Sequence, residues 1–199
     1  MNIDTFAVAL HRIGGVKFGE FTLKSGQKSP IYVDLRILVS HPEILRMAGE
    51  ALAEKLSGLQ FDRIAGLPYA GLPLAVSASL AGNLPMLYAR KEAKEYGTRK
   101  LIEGDYAAGQ TVALLDDVIT NGGAKLELAE PFLAEGLQVR DFVVLVDRQQ
   151  GGGEALAERG YQLHAVFTLR ELLQALRRHN AIPEQTFAEV SAYLDGTAA

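Results

Sequence analysis

Apolar residues recur at Ile3, Phe6, Leu10 and Ile13, the three- and four-residue spacing of one helix face. Glu20 to Lys24 and Pro30 to Asp34 flank Ser25-Gly26-Gln27-Lys28-Ser29, which predicts a hairpin around a polar, glycine-containing loop. Pro42 then opens a helix whose buried face is Ile44, Leu45, Ala48, Leu52 and Leu56. From there strand-like and helical stretches alternate. The pattern predicts a strand over Arg63 to Leu67, a helix near Leu72 to Leu80, and a strand over Met86 to Ala89. After a polar stretch come a strand over Thr111 to Leu115, a helix over Ala124 to Glu135 and a strand over Asp141 to Val146. Gly151 to Gly160 separate the last of these from a strand over Leu163 to Phe167. Amphipathic helices over Leu169 to Arg178 and Glu184 to Tyr193 follow, and Asp195 to Ala199 reads as a frayed tail.

Val112-Ala113-Leu114-Leu115 and Phe142-Val143-Val144-Leu145-Val146 are apolar on consecutive residues, so both faces of those strands must be covered. The expected fold is therefore α/β, a parallel sheet between helical layers. In open sheets of this kind ligands bind at the carboxyl ends of the strands. The chain of 199 residues is expected to form one domain, with hood elements over about residues 1–40 and the core and C-terminal helices over about 41–199. Ile64 to Tyr88 carries no charge and is long enough to cross a bilayer of about 30 Å. Pro68, Pro73 and Pro85, with Gly66, Gly71, Gly82 and Asn83, cut it into short pieces, so it reads as strand, turn, helix and strand. Met1 to Gly15 is a helical stripe carrying Asp4, unlike the unbroken apolar run of a signal peptide, and cytoplasmic residence is expected.

Composition narrows the function. There is no cysteine, hence no disulfide framework and no thiolate metal site. The four histidines, His11, His41, His164 and His179, stand singly, without the spacing of a zinc site. A net charge of −4 speaks against general binding to nucleic acid or anionic membranes. Any cationic function must be local.

The sharpest feature is Leu114-Leu115-Asp116-Asp117-Val118-Ile119-Thr120-Asn121-Gly122-Gly123-Ala124. Two carboxylates end a buried strand, and a loop of small and hydroxyl residues opens a helix. Backbone amides of such a loop, with the positive end of the helix, cradle a phosphate. Asp116 and Asp117 would repel a phosphate set directly on them, so they suit sugar hydroxyls beside it or a cation. A phosphorylated pentose is the implied ligand. Neither a Walker loop nor a Gly-x-Gly-x-x-Gly turn is present.

This segment resembles the phosphoribosyl-pyrophosphate loop of the type I phosphoribosyltransferases. Three further segments narrow the resemblance to the orotate phosphoribosyltransferase family. They are Phe21-Thr22-Leu23-Lys24-Ser25-Gly26 with Ser29-Pro30-Ile31-Tyr32, Arg90-Lys91-Glu92-Ala93-Lys94-Glu95-Tyr96-Gly97, and Val146-Asp147-Arg148-Gln149-Gln150-Gly151-Gly152. Between Arg90 and Lys100 five basic residues face two acidic ones, the composition of a cationic flap that closes over a polyanion.

The resemblance implies transfer of the phosphoribosyl group to orotate, with Mg²⁺ carried on the pyrophosphate and ribose of the substrate rather than by side chains. It implies catalytic roles for Lys94 and Asp117. Phosphoribosyl pyrophosphate would be bound by Lys24, Tyr69, Ala70, Arg90, Lys91, Lys94, Tyr96 and the run from Asp116 to Ala124. Orotate would be bound by Lys24, Tyr32, Val33, Thr120 and Arg148, whose planar guanidinium suits a carboxylate. A homodimer in which the mobile loop Arg90 to Gly104 is shared between subunits is also implied. Two positions depart from many bacterial members, which have lysine where Ala70 stands and histidine where Tyr96 stands. The wording Arg-Lys-Glu-x-Lys-x-Tyr-Gly resembles instead the transferase that animals fuse to a decarboxylase. Rival readings are a transferase acting on a purine or uracil, which should lack the Lys24 hairpin and the Arg148 corner, and a non-catalytic regulator that binds phosphoribosyl pyrophosphate as an effector. The acidic balance weighs against the second.

Overall fold

Asn2 accepts a hydrogen bond from the Asp4 amide and so caps the first helix, α1 (Ile3–Arg12), which buries Phe6, Ala7 and Leu10. The computed structural model of the protein describes residues 2–22, 26, 28–90 and 101–197. Strands β1 (Val16–Thr22) and β2 (Lys28–Val33) pair antiparallel, with an irregularity between Phe18 and Phe21. Asp34 caps a 3-10 helix over Leu35–Ser40, and α2 (Pro42–Leu56) follows with proline at its start.

The remaining elements are β3 (Arg63–Gly66), α3 (Gly71–Gly82), β4 (Met86–Ala89), β5 (Ile102–Glu103), β6 (Thr111–Ile119), α4 (Gly123–Ala134), β7 (Gln138–Asp147), α5 (Gly152–Ala157), β8 (Gln162–Thr168), α6 (Leu169–Arg178) and α7 (Glu184–Thr197). The main sheet has the order β5-β4-β3-β6-β7-β8. All its pairings are parallel except β4 with the short edge strand β5.

Consecutive apolar residues of the central strands divide between two cores, as burial on both faces requires. Ile64, Ala113, Leu115, Val143 and Leu145 meet α1, α2, α3 and α6 on one face. Ala65, Val112, Leu114, Phe142 and Val144 meet Ala129 and Phe132 of α4 and Leu156 of α5 on the other. The uncharged run from Ile64 to Tyr88 folds as β3, α3 and β4, and no helix among the described residues is long and apolar enough to cross a membrane.

Several boundaries differ from the pattern reading. β6 runs through both aspartates to Ile119 rather than stopping at Leu115, because parallel pairing with β7 continues to Asp147. β1 begins at Val16, since alternate burial starts there and not at Glu20. The glycine-rich stretch after Gly151 contains α5, and residues 195–197 continue α7 instead of fraying. The sheet is mixed at one edge, where β5 lies antiparallel on β4.

The hood helix is part of the larger core. Phe6 is fully buried and its ring stacks on Phe167 of β8 at 5.5 Å. Phe6→Ala is therefore expected to destabilise the whole fold by about 3–5 kcal/mol, the usual loss for a large buried side chain. Urea unfolding followed by circular dichroism measures this, and a loss below about 1 kcal/mol would show that α1 is dispensable to the core.

Candidate active site

The chain enters the main sheet at β3, adds β4 on one side, and returns to place β6 on the other. The direction of winding thus reverses between β3 and β6, where a cleft opens beyond the strand ends. Two loops leave there, residues 67–70 after β3 and residues 120–122 after β6.

They are locked together. The Leu67 amide donates to the Leu115 carbonyl at 2.8 Å. A Cβ added to Gly71 would lie 2.4 Å from that carbonyl oxygen and 3.1 Å from Asp116 Oδ1, so only glycine lets α3 start this close to the acids. Tyr69 projects from this turn with 69% of its surface exposed, and Ala70 precedes the first turn of α3.

The two aspartates differ sharply. Asp116 is 5% exposed, and both its oxygens are engaged: Oδ1 accepts from the Asp117 amide at 2.8 Å, and Oδ2 accepts from Lys125 Nζ. Burial pushes its carboxyl up to about 7, Lys125 opposing this and the Asp117 charge adding to it. Asp117 is only half-buried, and its Oδ1 accepts from the Val118 amide at 2.7 Å. Of the pair, Asp117 is the more exposed.

Val118 is half-buried and Ile119 buried, so the strand anchors the loop; Thr120, Asn121, Gly123 and Ala124 are exposed. Gly122 takes a φ of +78° and no side chain caps α4. The Lys125 and Leu126 amides turn back to the Gly122 carbonyl at 2.9 and 3.3 Å, which leaves those of Gly123 and Ala124 without a backbone partner among the described residues, the anion cradle of a helix N-terminus. A Cβ on Gly122 would come within 3.1 Å of the Gly152 carbonyl oxygen, so the phosphate loop lies directly on the corner after β7.

That corner carries Arg148, whose amide donates to the Ile119 carbonyl at 3.1 Å. The side chain is 5% exposed. Nε donates to Gln150 Oε1 at 2.9 Å, Gln150 Nε2 donates to the Tyr193 hydroxyl at 3.4 Å, and Nη2 is buried with no hydrogen-bond partner among the described residues. Burial pushes the guanidinium below the usual arginine range, an effect that Tyr193 offsets. A buried cation with an unpaired donor costs several kcal/mol unless an anion meets it.

Tyr32 and Val33 lie at the end of β2, both half-buried. The Tyr32 ring stacks on Phe21 at 5.4 Å, and its hydroxyl accepts from Arg36 Nη2 at 3.0 Å. Arg36 is held by Asp34, at 2.7 Å from Nε to Oδ1. The hairpin and Tyr193 of α7 line one cavity with Gly19, Ser29 and Pro30, which links the hairpin to the Arg148 corner through Gln150. Arg90 follows β4, its amide donating to the Leu101 carbonyl and its Nη1 3.3 Å from Glu103 Oε1. Lys24, Lys91, Lys94 and Tyr96 lie outside the described residues.

Sequence reasoning missed Lys125, Gln150, Tyr193 and Arg36. Lys125 had one signal, a lysine in the first turn of a helix, where the dipole disfavours a cation unless an acid is at hand. Tyr193 had none, because 43 residues separate it from Gln150.

A parallel sheet with this winding reversal, an acid pair entering a glycine-rich anion loop, and a second loop locked beside it define a type I phosphoribosyltransferase. No protein-family model matches the chain. It is 46% identical over 187 residues to an orotate phosphoribosyltransferase of Caenorhabditis elegans, covering 93% of this chain and 82% of that one. Its fold superposes on Leishmania donovani UMP synthase with a TM-score of 0.90 at 43% identity, covering 98% of this chain but 43% of that larger one. The orotate phosphoribosyltransferase of Mycobacterium tuberculosis, solved with 5-phospho-alpha-D-ribosyl 1-diphosphate, matches at a TM-score of 0.70 and 26% identity, over 85% of this chain and 98% of that one. The chain belongs to the orotate phosphoribosyltransferase family.

Proposed function

We infer that this chain transfers the 5-phosphoribosyl group of phosphoribosyl pyrophosphate to orotate, giving orotidine 5'-monophosphate and pyrophosphate in pyrimidine biosynthesis. The observation that carries the reading is Arg148, a buried guanidinium whose Nη2 is unpaired among the described residues, beside the phosphate loop. Orotate brings the planar carboxylate that such a donor lacks.

The amides of residues 120–124 bind the 5'-phosphate, and Asp117 accepts hydrogen bonds from the ribose hydroxyls. Tyr69 and Ala70, on the turn beside them, present backbone to the pyrophosphate; Ala70 offers no charge there. Tyr32 and Val33 cover the pyrimidine, with Thr120, Lys24 and Arg148 orienting it. As the C1–oxygen bond loosens, positive charge grows on the ribose and negative charge on the leaving pyrophosphate. Lys94, with Arg90, Lys91 and Tyr96, steadies the second, and no buried proton-transferring base is needed because orotate reacts as an anion.

Mg²⁺ is the expected cofactor. The ion is expected to come in on the substrate's pyrophosphate and ribose oxygens rather than on side chains. When bound it supplies charge neutralisation to the leaving group.

The working unit is a homodimer, hood and core of each chain acting as one domain, with the loop over residues 90–104 serving the neighbour's site. Its support is an apolar surface: Val39, Val76 and Leu80 are 57%, 48% and 81% exposed around a groove also lined by Pro42, Leu45 and Pro73. A second copy of the chain would cover it. Cytoplasmic residence accompanies this reading, and neither nucleic acid nor membrane is a partner.

Loss of orotate absorbance on adding phosphoribosyl pyrophosphate and Mg²⁺ tests the activity; turnover of adenine or hypoxanthine with none of orotate would overturn it. Mixing Lys94→Ala and Asp117→Asn chains tests the shared site. Each is nearly inactive alone, and a hybrid dimer holds one intact site, so roughly a quarter of the unmodified activity should return after random exchange. Hybrids that form, by native mass spectrometry of tagged chains, yet stay inactive would show that the loop serves its own subunit.

A further inference from the structure

Tyr193, near the end of α7, turns its hydroxyl into the corner after β7, and no step of the transfer uses it. The helix is pinned around that residue: Val190 and Leu194 are buried in the larger core, and Arg170 of α6 reaches Asp195 at 2.9 Å. The ring packs against the same core and lines one cavity with Gly19, Ser29 and Pro30 of the hairpin. Packing accounts for an aromatic ring there, and phenylalanine would serve it equally well. It does not account for the hydroxyl, which accepts from Gln150 Nε2 at 3.4 Å.

Arg148 gives the hydroxyl a task. The backbone of that residue is fixed by its bond to the Ile119 carbonyl and by Gln149, whose amide donates to Asp147 Oδ1 at 2.8 Å. The long side chain between that backbone and the guanidinium still has several rotamers open to it. Gln150 Oε1 takes Nε, which closes the Nε edge of the planar group to a ligand. An anion can then be met only through the Nη nitrogens, and Nη2 has no hydrogen-bond partner among the described residues. Gln150 is itself a flexible side chain, next to Gly151 with its φ of +86°, and it can hold Arg148 only if something holds it. Tyr193 ties the far end of its amide to a packed helix, and it also favours the guanidinium charge that burial opposes.

We propose that Tyr193 is a positioning residue for orotate: its hydroxyl anchors the Gln150 amide, Gln150 holds Arg148 by Nε, and the Nη end of the guanidinium is thereby turned to the acceptor. This rests on the reading of Arg148 as the guanidinium that meets orotate. α7 also packs on β2, which ends near Tyr32 and Val33, so one helix backs both the hairpin and the Arg148 corner.

The test is a double-mutant cycle on the KM for orotate, with the affinity for phosphoribosyl pyrophosphate by calorimetry and the melting temperature followed beside it. Tyr193→Phe keeps the ring and removes only the hydroxyl. It should raise the KM for orotate about three- to tenfold, the worth of one such hydrogen bond, and leave the other two measurements unchanged. Gln150→Met keeps the length of the side chain without its amide and should do the same, with no further loss when combined with Tyr193→Phe. In an Arg148→Ala background Tyr193→Phe should add nothing, which a merely structural tyrosine would not show. An unchanged KM in Tyr193→Phe, where Arg148→Ala raises it, would overturn this inference and leave the reading of Arg148 standing. A loss that persists in full on top of Arg148→Ala, or one shared by phosphoribosyl pyrophosphate and tracking a lower melting temperature, would also overturn it. An Arg148→Ala chain with unaltered KM for orotate would overturn both.

Discussion

The hydrogen bond from Leu67 to Leu115, at 2.8 Å, joins β3 to β6 at the point where the winding of the sheet reverses. Everything chemical in the molecule hangs from that seam. It brings the turn after β3 against the acids of β6, and Gly71 allows the approach because any Cβ there would strike the Leu115 carbonyl. One strand further, the Arg148 amide bonds Ile119, so the phosphate loop is held between two neighbours. Backbone hydrogen bonds on both sides of the loop suit a site that works by positioning.

The site handles buried charge in two opposite ways. Asp116 and Lys125 form a buried ion pair. Arg148 is met by Gln150 and Tyr193, while Nη2 has no hydrogen-bond partner among the described residues. An unmet buried donor costs free energy that binding a matching anion recovers.

Much of the architecture is written locally. The helix faces of α1 and α2, the both-sides-buried strands, and the acid pair followed by a glycine loop are all patterns within a dozen residues. Local pattern could not show where β6 ends, because the strand continues through Asp116 and Asp117 only by virtue of its pairing with β7. α5 was hidden for a similar reason: its glycines suggest a loop, yet Gly152 is required by contact with Ile119 and the Thr120 carbonyl. The difference between the two aspartates was invisible for another reason. Adjacent residues of a strand face opposite ways, and which one is buried depends on α4 bringing Lys125 to it. Tyr193 enters through the packing of α7, which no motif records.

Discrimination between orotate and uracil, which differ by the carboxylate, probes the central claim most directly. The ratio of kcat/KM for the two bases is to be measured in the unmodified protein and in Arg148→Ala. Loss of a charged hydrogen-bond partner is worth about 1.5–3 kcal/mol, so the preference for orotate should fall by roughly ten- to a hundredfold while affinity for phosphoribosyl pyrophosphate holds. A preference that survives Arg148→Ala, or an equal loss for both bases and for phosphoribosyl pyrophosphate, would contradict the assignment of the buried guanidinium as the reader of the carboxylate.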